Sequence, residues 1–187
     1  MKVKKAVVVL ANGFEEIEAL SIVDVLRRGE VEVSVLALDT SQTEVVGAHE
    51  IRVIADGVWN DDVINSADAI VLPGGLGCMQ ALRADAKVLD AIRKFNAEGK
   101  YVAAICASPA VLQEAGVLGG RKAVCYPGME DHIKDAEYCE EASVVRDGNI
   151  VTGSGPATAM EFALEVLETL HGKQVRDGVA GGLLFKA

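Results

Sequence analysis

No stretch of 18 apolar residues occurs in this 187-residue sequence, so no membrane-spanning helix is expected. Basic runs are missing as well. With 18 Lys and Arg against 28 Asp and Glu, the net charge is −10, which argues against nucleic acid or an anionic membrane as partner. The four cysteines, at 78, 106, 125 and 139, form no Cys-x-x-Cys pair, and the three histidines, at 49, 132 and 171, are scattered, so no metal site is expected. A disulfide framework is not expected in a chain of this size without secretion signals. Nucleotide motifs are absent too. Gly75-Leu76-Gly77-Cys78-Met79-Gln80 lacks the third glycine of the dinucleotide fingerprint, and no Gly-x-x-x-x-Gly-Lys occurs. No cofactor is therefore anticipated. Met1-Lys2-Val3-Lys4-Lys5 begins like a signal peptide, but Asn12-Gly13 and Glu15-Glu16 interrupt it before any small-residue cleavage site, so the expected compartment is the cytoplasm. Aromatic residues are only 4% of a chain that is half hydrophobic, which suits an α/β core of Val, Ile, Leu and Ala.

What is present is an alternation of buried strands and amphipathic helices. Ala6–Leu10, Val31–Leu38, Ala69–Leu72, Tyr101–Ile105 and Lys122–Cys125 read as strands. Helices are predicted over about Glu15–Arg28, Ala86–Glu98 and Pro156–Leu170. The first should carry Ile17, Leu20 and Ser21 on one face, and the second Val88, Leu89, Ile92 and Phe95. Val45-Val46 with Ile51–Ile54, and Ser143–Arg146 with Ile150–Thr152 around Asp147-Gly148, read as hairpins. Met129–Tyr138 reads as a helical turn. Strands apolar throughout, alternating with helices, predict a doubly wound, mostly parallel sheet with helices on both faces. Without repeats, linkers or low-complexity segments, residues 1–187 read as one domain.

In such sheets sites lie beyond the carboxyl ends of the strands. Three loops converge there: Asn12–Glu18, Pro73–Gly77 and Cys106–Pro109. Cys106 stands between a buried strand and a helix opened by Ser108 as N-cap and Pro109 at the first position. This is the layout of a nucleophile elbow, in which the helix N-terminus is expected to lower the thiol pKa. The two glycines after Pro73 offer bare backbone N–H groups for an oxyanion. Among Glu15, Glu16 and Glu18, the first two suffice to complement the helix dipole, while Glu18 lies a turn further in and could meet the sulfur. A carboxyl and a thiol in one small apolar site share charge, so that protonation of one favours ionisation of the other.

Four motifs, Ala11-Asn12-Gly13-Phe14-Glu15-Glu16-Ile17-Glu18, Val71-Leu72-Pro73-Gly74-Gly75, Ala103-Ala104-Ile105-Cys106-Ala107-Ser108-Pro109 and Gly155-Pro156-Ala157-Thr158, resemble the ThiJ/PfpI superfamily. The resemblance runs in order from Val3 to about Lys173 and is strongest to the Parkinson disease protein 7 branch, described as protein deglycase and glutathione-independent glyoxalase. It implies a flavodoxin-like fold, a homodimer, Cys106 as nucleophile, Glu18 as its protonated partner, and Gly74, Gly75 and Ala107 as backbone oxyanion donors. Asp24 matches a family position in the first helix, and it and Tyr126 are candidate site-lining residues. Two departures narrow the activity. Ala107 stands where the intracellular-protease branch has a histidine, which removes the base of a Cys-His peptidase. Tyr126 stands where the Parkinson branch has a histidine, and a phenol is a poor base near neutral pH.

A low thiol pKa alone gains little. Lowering it by three units yields about thirty times more thiolate but costs about twentyfold in intrinsic nucleophilicity. A placed acid contributes about 10²–10⁴-fold, so the Cys106–Glu18 pair outweighs the thiol by itself. The chemistry this suits is addition to an aldehyde: methylglyoxal or glyoxal, or their early protein adducts, converted to lactate or glycolate without metal, flavin or nucleotide. The alternatives are an oxidation sensor or chaperone acting through Cys106, and hydrolysis of small amides or peptides.

Overall fold

The structure, a computed structural model, describes residues 3–39 and 41–186. Its elements follow the chain as β1 (Lys5–Leu10), α1 (Glu16–Arg28), β2 (Glu32–Ala37), β3 (Glu44–Val46), β4 (Arg52–Ile54), β5 (Gly57–Val58), α2 (Asp61–Ser66), β6 (Ala69–Leu72), α3 (Leu76–Ala84), α4 (Ala86–Ala97), β7 (Tyr101–Ile105), α5 (Pro109–Glu114), β8 (Lys122–Ala123), β9 (Glu137–Tyr138), β10 (Val144–Asp147), β11 (Ile150–Gly153), α6 (Ala159–His171) and α7 (Lys173–Gly182). Single 3₁₀ turns occupy Glu130–Ile133 and Pro156–Thr158.

Seven strands form the central sheet in the order β10-β11-β7-β6-β1-β2-β5. Every pairing is parallel except β10 with β11, the antiparallel hairpin turned at Asp147-Gly148. Strands β1, β6 and β7 hold the centre because they are apolar on both faces. Ala69–Leu72 is buried throughout, as are Val102–Ile105. Helices α1, α6 and α7 pack as one layer, and α3, α4 and α5 as the other. This is the doubly wound, flavodoxin-like arrangement that the strand and helix alternation predicts. The central parallel strands all point their carboxyl ends to one edge, where the loops after β1, β6 and β7 meet.

Helix α1 departs from its predicted orientation. Ile17 and Leu20 share a face, but that face is outward, 59% and 47% exposed. The buried stripe is Glu18, Ala19, Ile22, Val25 and Leu26. Periodicity alone favoured the larger side chains, whereas the α1 register is set by Glu18 turning inward to the β6 loop. The segment after Pro73 is also less open than expected, because α3 begins at Leu76 and leaves only Pro73-Gly74-Gly75 as loop. Helices α2 and α7 and strand β5 carried no sequence signal strong enough to be predicted. His171 ends α6. No helix among the described residues is long and apolar enough to cross a membrane.

Candidate active site

The elbow is tight. Cys106 adopts φ +65, a left-handed conformation that a non-glycine residue enters at a cost of about 1–2 kcal/mol. Neighbouring elements hold it there. Its N–H donates to the Gly153 carbonyl at 2.9 Å, and its carbonyl accepts from the Tyr126 N–H at 2.9 Å. Ser108 is at the helix N-cap position but does not cap. Its buried hydroxyl instead donates to the Pro73 carbonyl at 2.6 Å, tying the elbow to the loop after β6.

That loop carries the rest of the geometry. The Gly74 N–H donates to Glu18 Oε2 at 2.7 Å. A Cβ on Gly74 would lie 2.6 Å from the Cys106 Cβ and 2.7 Å from Glu18 Oε2, so this close approach admits only glycine. Gly75 has φ +91, and a side chain there would overlap the Gly13 carbonyl. The N-terminus of α1 is pinned to the same loop. The Glu15 N–H donates to the Gly74 carbonyl at 3.0 Å, and the Glu15 carboxylate accepts the Glu18 N–H at 2.7 Å as the N-cap. Glu18 is thereby carried to full burial, 0% exposed, against Cys106, which is 9% exposed.

Its electrostatics follow from burial. Desolvation raises the Glu18 carboxyl from 4.5 to about 7, against the opposing hydrogen bonds from the Gly74 N–H and the Cys106 side chain. Glu18 Oε1 is buried with no N–H or O–H donor among the described residues, an orphan position for a carboxylate oxygen and a natural one for a protonated oxygen beside sulfur. The Cys106 thiol is pushed up to about 12, first by burial and then by the Glu18 charge, while hydrogen bonds from the Gly75 and Ala107 N–H groups pull the other way. Burial and the Glu18 charge oppose the acidifying effect expected from the N-terminus of the six-residue helix α5. The two groups are coupled, and moving a proton from sulfur to the carboxylate oxygen creates the thiolate.

Two expected site residues need correction. The Gly74 N–H is engaged by Glu18 and cannot hold an oxyanion, which leaves the Gly75 and Ala107 N–H groups, both aimed at the sulfur. Asp24 is exposed on α1, paired with Arg28 at 2.7 Å, and lies outside the cleft because it falls on the solvent face of the Glu18 helix. Tyr126 does line the cleft, half exposed.

The cleft over Cys106 has a volume of about 670 Å³ and is walled by Glu15, His49, Gly75, Tyr126 and Met129, among others. A larger cavity of about 800 Å³, beside Arg28, His171 and Val179, contains no cysteine and lies away from the sheet's carboxyl edge. The perturbed groups converge at the smaller one, which makes it the candidate site. His49 was not foreseen. It arrives on the turn between β3 and β4, where Gly47 bridges to Phe14, and no spacing in the sequence links it to Cys106.

A mostly parallel α/β sheet with a cysteine elbow and a carboxyl partner at its carboxyl edge defines a candidate site of a recognised class. The model of the DJ-1/PfpI family matches residues 4–169, and the chain belongs to that family. It is 38% identical over 182 residues to Protein dj-1beta of Drosophila melanogaster, covering 97% of each chain. The crystal structure of that DJ-1beta superposes with a TM-score of 0.95 over 100% of both chains. The Parkinson disease protein 7 homolog of Danio rerio is 34% identical, with 98% of each chain covered. Oxidized Toxoplasma gondii DJ-1 is 38% identical with a TM-score of 0.91, over 99% of this chain and 100% of that one.

Proposed function

We propose that the protein is a cofactor-independent glyoxalase or deglycase acting on methylglyoxal or glyoxal, or on their early protein adducts. Membership of the family supports a DJ-1-like role in general. The observation that carries the particular reading is the buried Glu18 carboxyl, raised to about 7, set against Cys106 beneath the Gly75 and Ala107 N–H groups.

The proton of the pair moves to Glu18, and the Cys106 thiolate adds to the aldehyde carbon. The carbonyl oxygen takes the negative charge among the Gly75 and Ala107 N–H groups and is protonated to the hemithioacetal. Glu18, ionised by giving up that proton, removes the proton from the carbon bonded to sulfur and delivers it to the neighbouring carbon, while the hydroxyl proton passes from the first oxygen to the second through the enediol, converting the adduct to an α-hydroxy thioester. Water releases lactate or glycolate and regenerates the thiolate. The substrate is both oxidised and reduced within itself, so no external oxidant is needed.

A second reading, a sensor in which Cys106 is oxidised to sulfinate beside protonated Glu18, is favoured by the oxidized Toxoplasma gondii relative. The two readings separate on turnover. Purified protein with methylglyoxal and no glutathione is expected to form lactate, and Cys106→Ser none. Lactate absent from the wild type, with ready sulfinate formation, would favour the sensor.

A further inference from the structure

We propose that His49, held by Glu16, is the general base for the water that releases product from Cys106. The inference rests on the glyoxalase reading and adds to it the residue that completes its last step.

Hydrolysis of the thioester needs a base that water can reach. Glu18 is wholly buried behind Gly74 and faces sulfur, not solvent. Glu15 lines the cleft, but its carboxylate is the N-cap acceptor of the Glu18 N–H. Tyr126 is open to water but is a poor base near neutral pH. His49 lines the same cleft with its side chain 72% exposed.

Unlike most exposed side chains, it is fixed. One carboxylate grips it twice: Glu16 Oε1 accepts the His49 backbone N–H at 2.7 Å, and Oε2 meets the ring Nδ1 at 2.8 Å. Glu16 is itself buried, 4% exposed, and although burial works to raise its pKa, the His49 ring and backbone N–H together hold it below the usual carboxylate range. An ionised carboxylate only accepts hydrogen bonds, so Nδ1 carries the hydrogen and Nε2 is left as the basic nitrogen on a ring of fixed orientation. A buried carboxylate, an oriented imidazole and a sulfur nucleophile on one cleft have the logic of a triad, with the imidazole serving the water rather than the thiol.

In the step, Nε2 takes a proton from water as the water oxygen bonds to the thioester carbon. The carbonyl oxygen becomes an oxyanion among the Gly75 and Ala107 N–H groups. The C–S bond then breaks, the electron pair leaves on sulfur as thiolate, and the acid and the imidazolium each release a proton to solvent. The titratable groups acting on His49 are Glu16 of α1 and Glu15 at its N-cap, and Cys106 and Tyr126 line the same cleft. The Glu16 hydrogen bond and charge raise the His49 pKa, so its basic form is gained above the ordinary value of 6.5.

The test mixes wild type, His49→Gln and Glu16→Gln with methylglyoxal, measures lactate, and reads the acid-quenched protein by intact mass, with the lactohydroxamate released by hydroxylamine marking the lactoyl thioester, which has the same mass as the hemithioacetal. His49→Gln is expected to form the Cys106 adduct at the wild-type rate, to accumulate protein one lactoyl group heavier, and to release lactate tenfold or more slowly. Imidazole added to His49→Ala should restore part of the rate. Glu16→Gln should move the acid limb of lactate release to lower pH. A His49→Gln protein with wild-type lactate release and no acyl-enzyme overturns the inference alone. A wild type that forms neither lactate nor acyl-enzyme overturns the glyoxalase reading and this step with it.

Discussion

Burial of the Glu18 carboxyl costs the fold when the group is ionised, and it underlies the chemistry proposed for the site. Its folded-state pKa, about 7, lies above the ordinary 4.5, so the folded chain holds the proton more tightly than the unfolded chain does. The stability this contributes is complete below about pH 4.5 and is lost as the pH rises through 7. The difference corresponds to about 3 kcal/mol. Glu18→Gln keeps the size and the Gly74 hydrogen bond without the charge. It is expected to gain on wild type by up to about 3 kcal/mol between pH 4.5 and 8 in urea unfolding, and a difference that does not change with pH would contradict the burial argument. Glu18 was legible in the sequence because Glu15 and Glu16 already accounted for the helix start. The Glu16–His49 pair was not, since the two residues are 33 positions apart and meet only through the β3–β4 turn.

At the scale of elements, the central strands and the elbow follow from apolar runs that end in Gly, Ser or Pro. The misreadings have physical causes. Ile17 and Leu20 follow helical spacing as well as the true core stripe does, and periodicity cannot say which of two apolar faces turns inward. Ser108 obeys the N-cap preference in position, yet its hydroxyl goes to Pro73. That hydrogen bond joins the Cys106 elbow to the Gly75 loop, so Ser108→Ala is expected to lower stability by about 1–2 kcal/mol. It should also slow lactate formation, because the Gly75 N–H loses its register with the sulfur. Denaturant midpoints and turnover measured on the same preparation check both effects. A variant unchanged in midpoint and rate would mean that the two loops hold together without this bond.

For the whole molecule, the outward faces of α1 and the β3–β4 hairpin leave Ile17, Leu20, Ile51 and Ile54 exposed by 47–67%. The two elements adjoin through the Phe14–Gly47 bridge, so these side chains belong to neighbouring surfaces. We propose that a second copy of the chain covers them, the homodimer that the family resemblance implies. Sedimentation at micromolar concentration should give about twice the 19.6 kDa chain mass, and Ile17→Asp with Leu20→Asp should give the single-chain mass. A wild type that sediments as one chain would refute the dimer.

The central claim is that Glu18 moves a proton during turnover and does not merely hold the sulfur in place. The most direct measurement compares lactate formation from methylglyoxal by wild type and Glu18→Gln, with adduct formation at Cys106 followed in parallel by mass. The account predicts that lactate falls by about 10²-fold or more, equivalent to about 2.7 kcal/mol of barrier, and that the hemithioacetal forms more slowly because the thiol has lost its proton acceptor. Glu18→Gln forming lactate at the wild-type rate would contradict it, even if Cys106 remained essential.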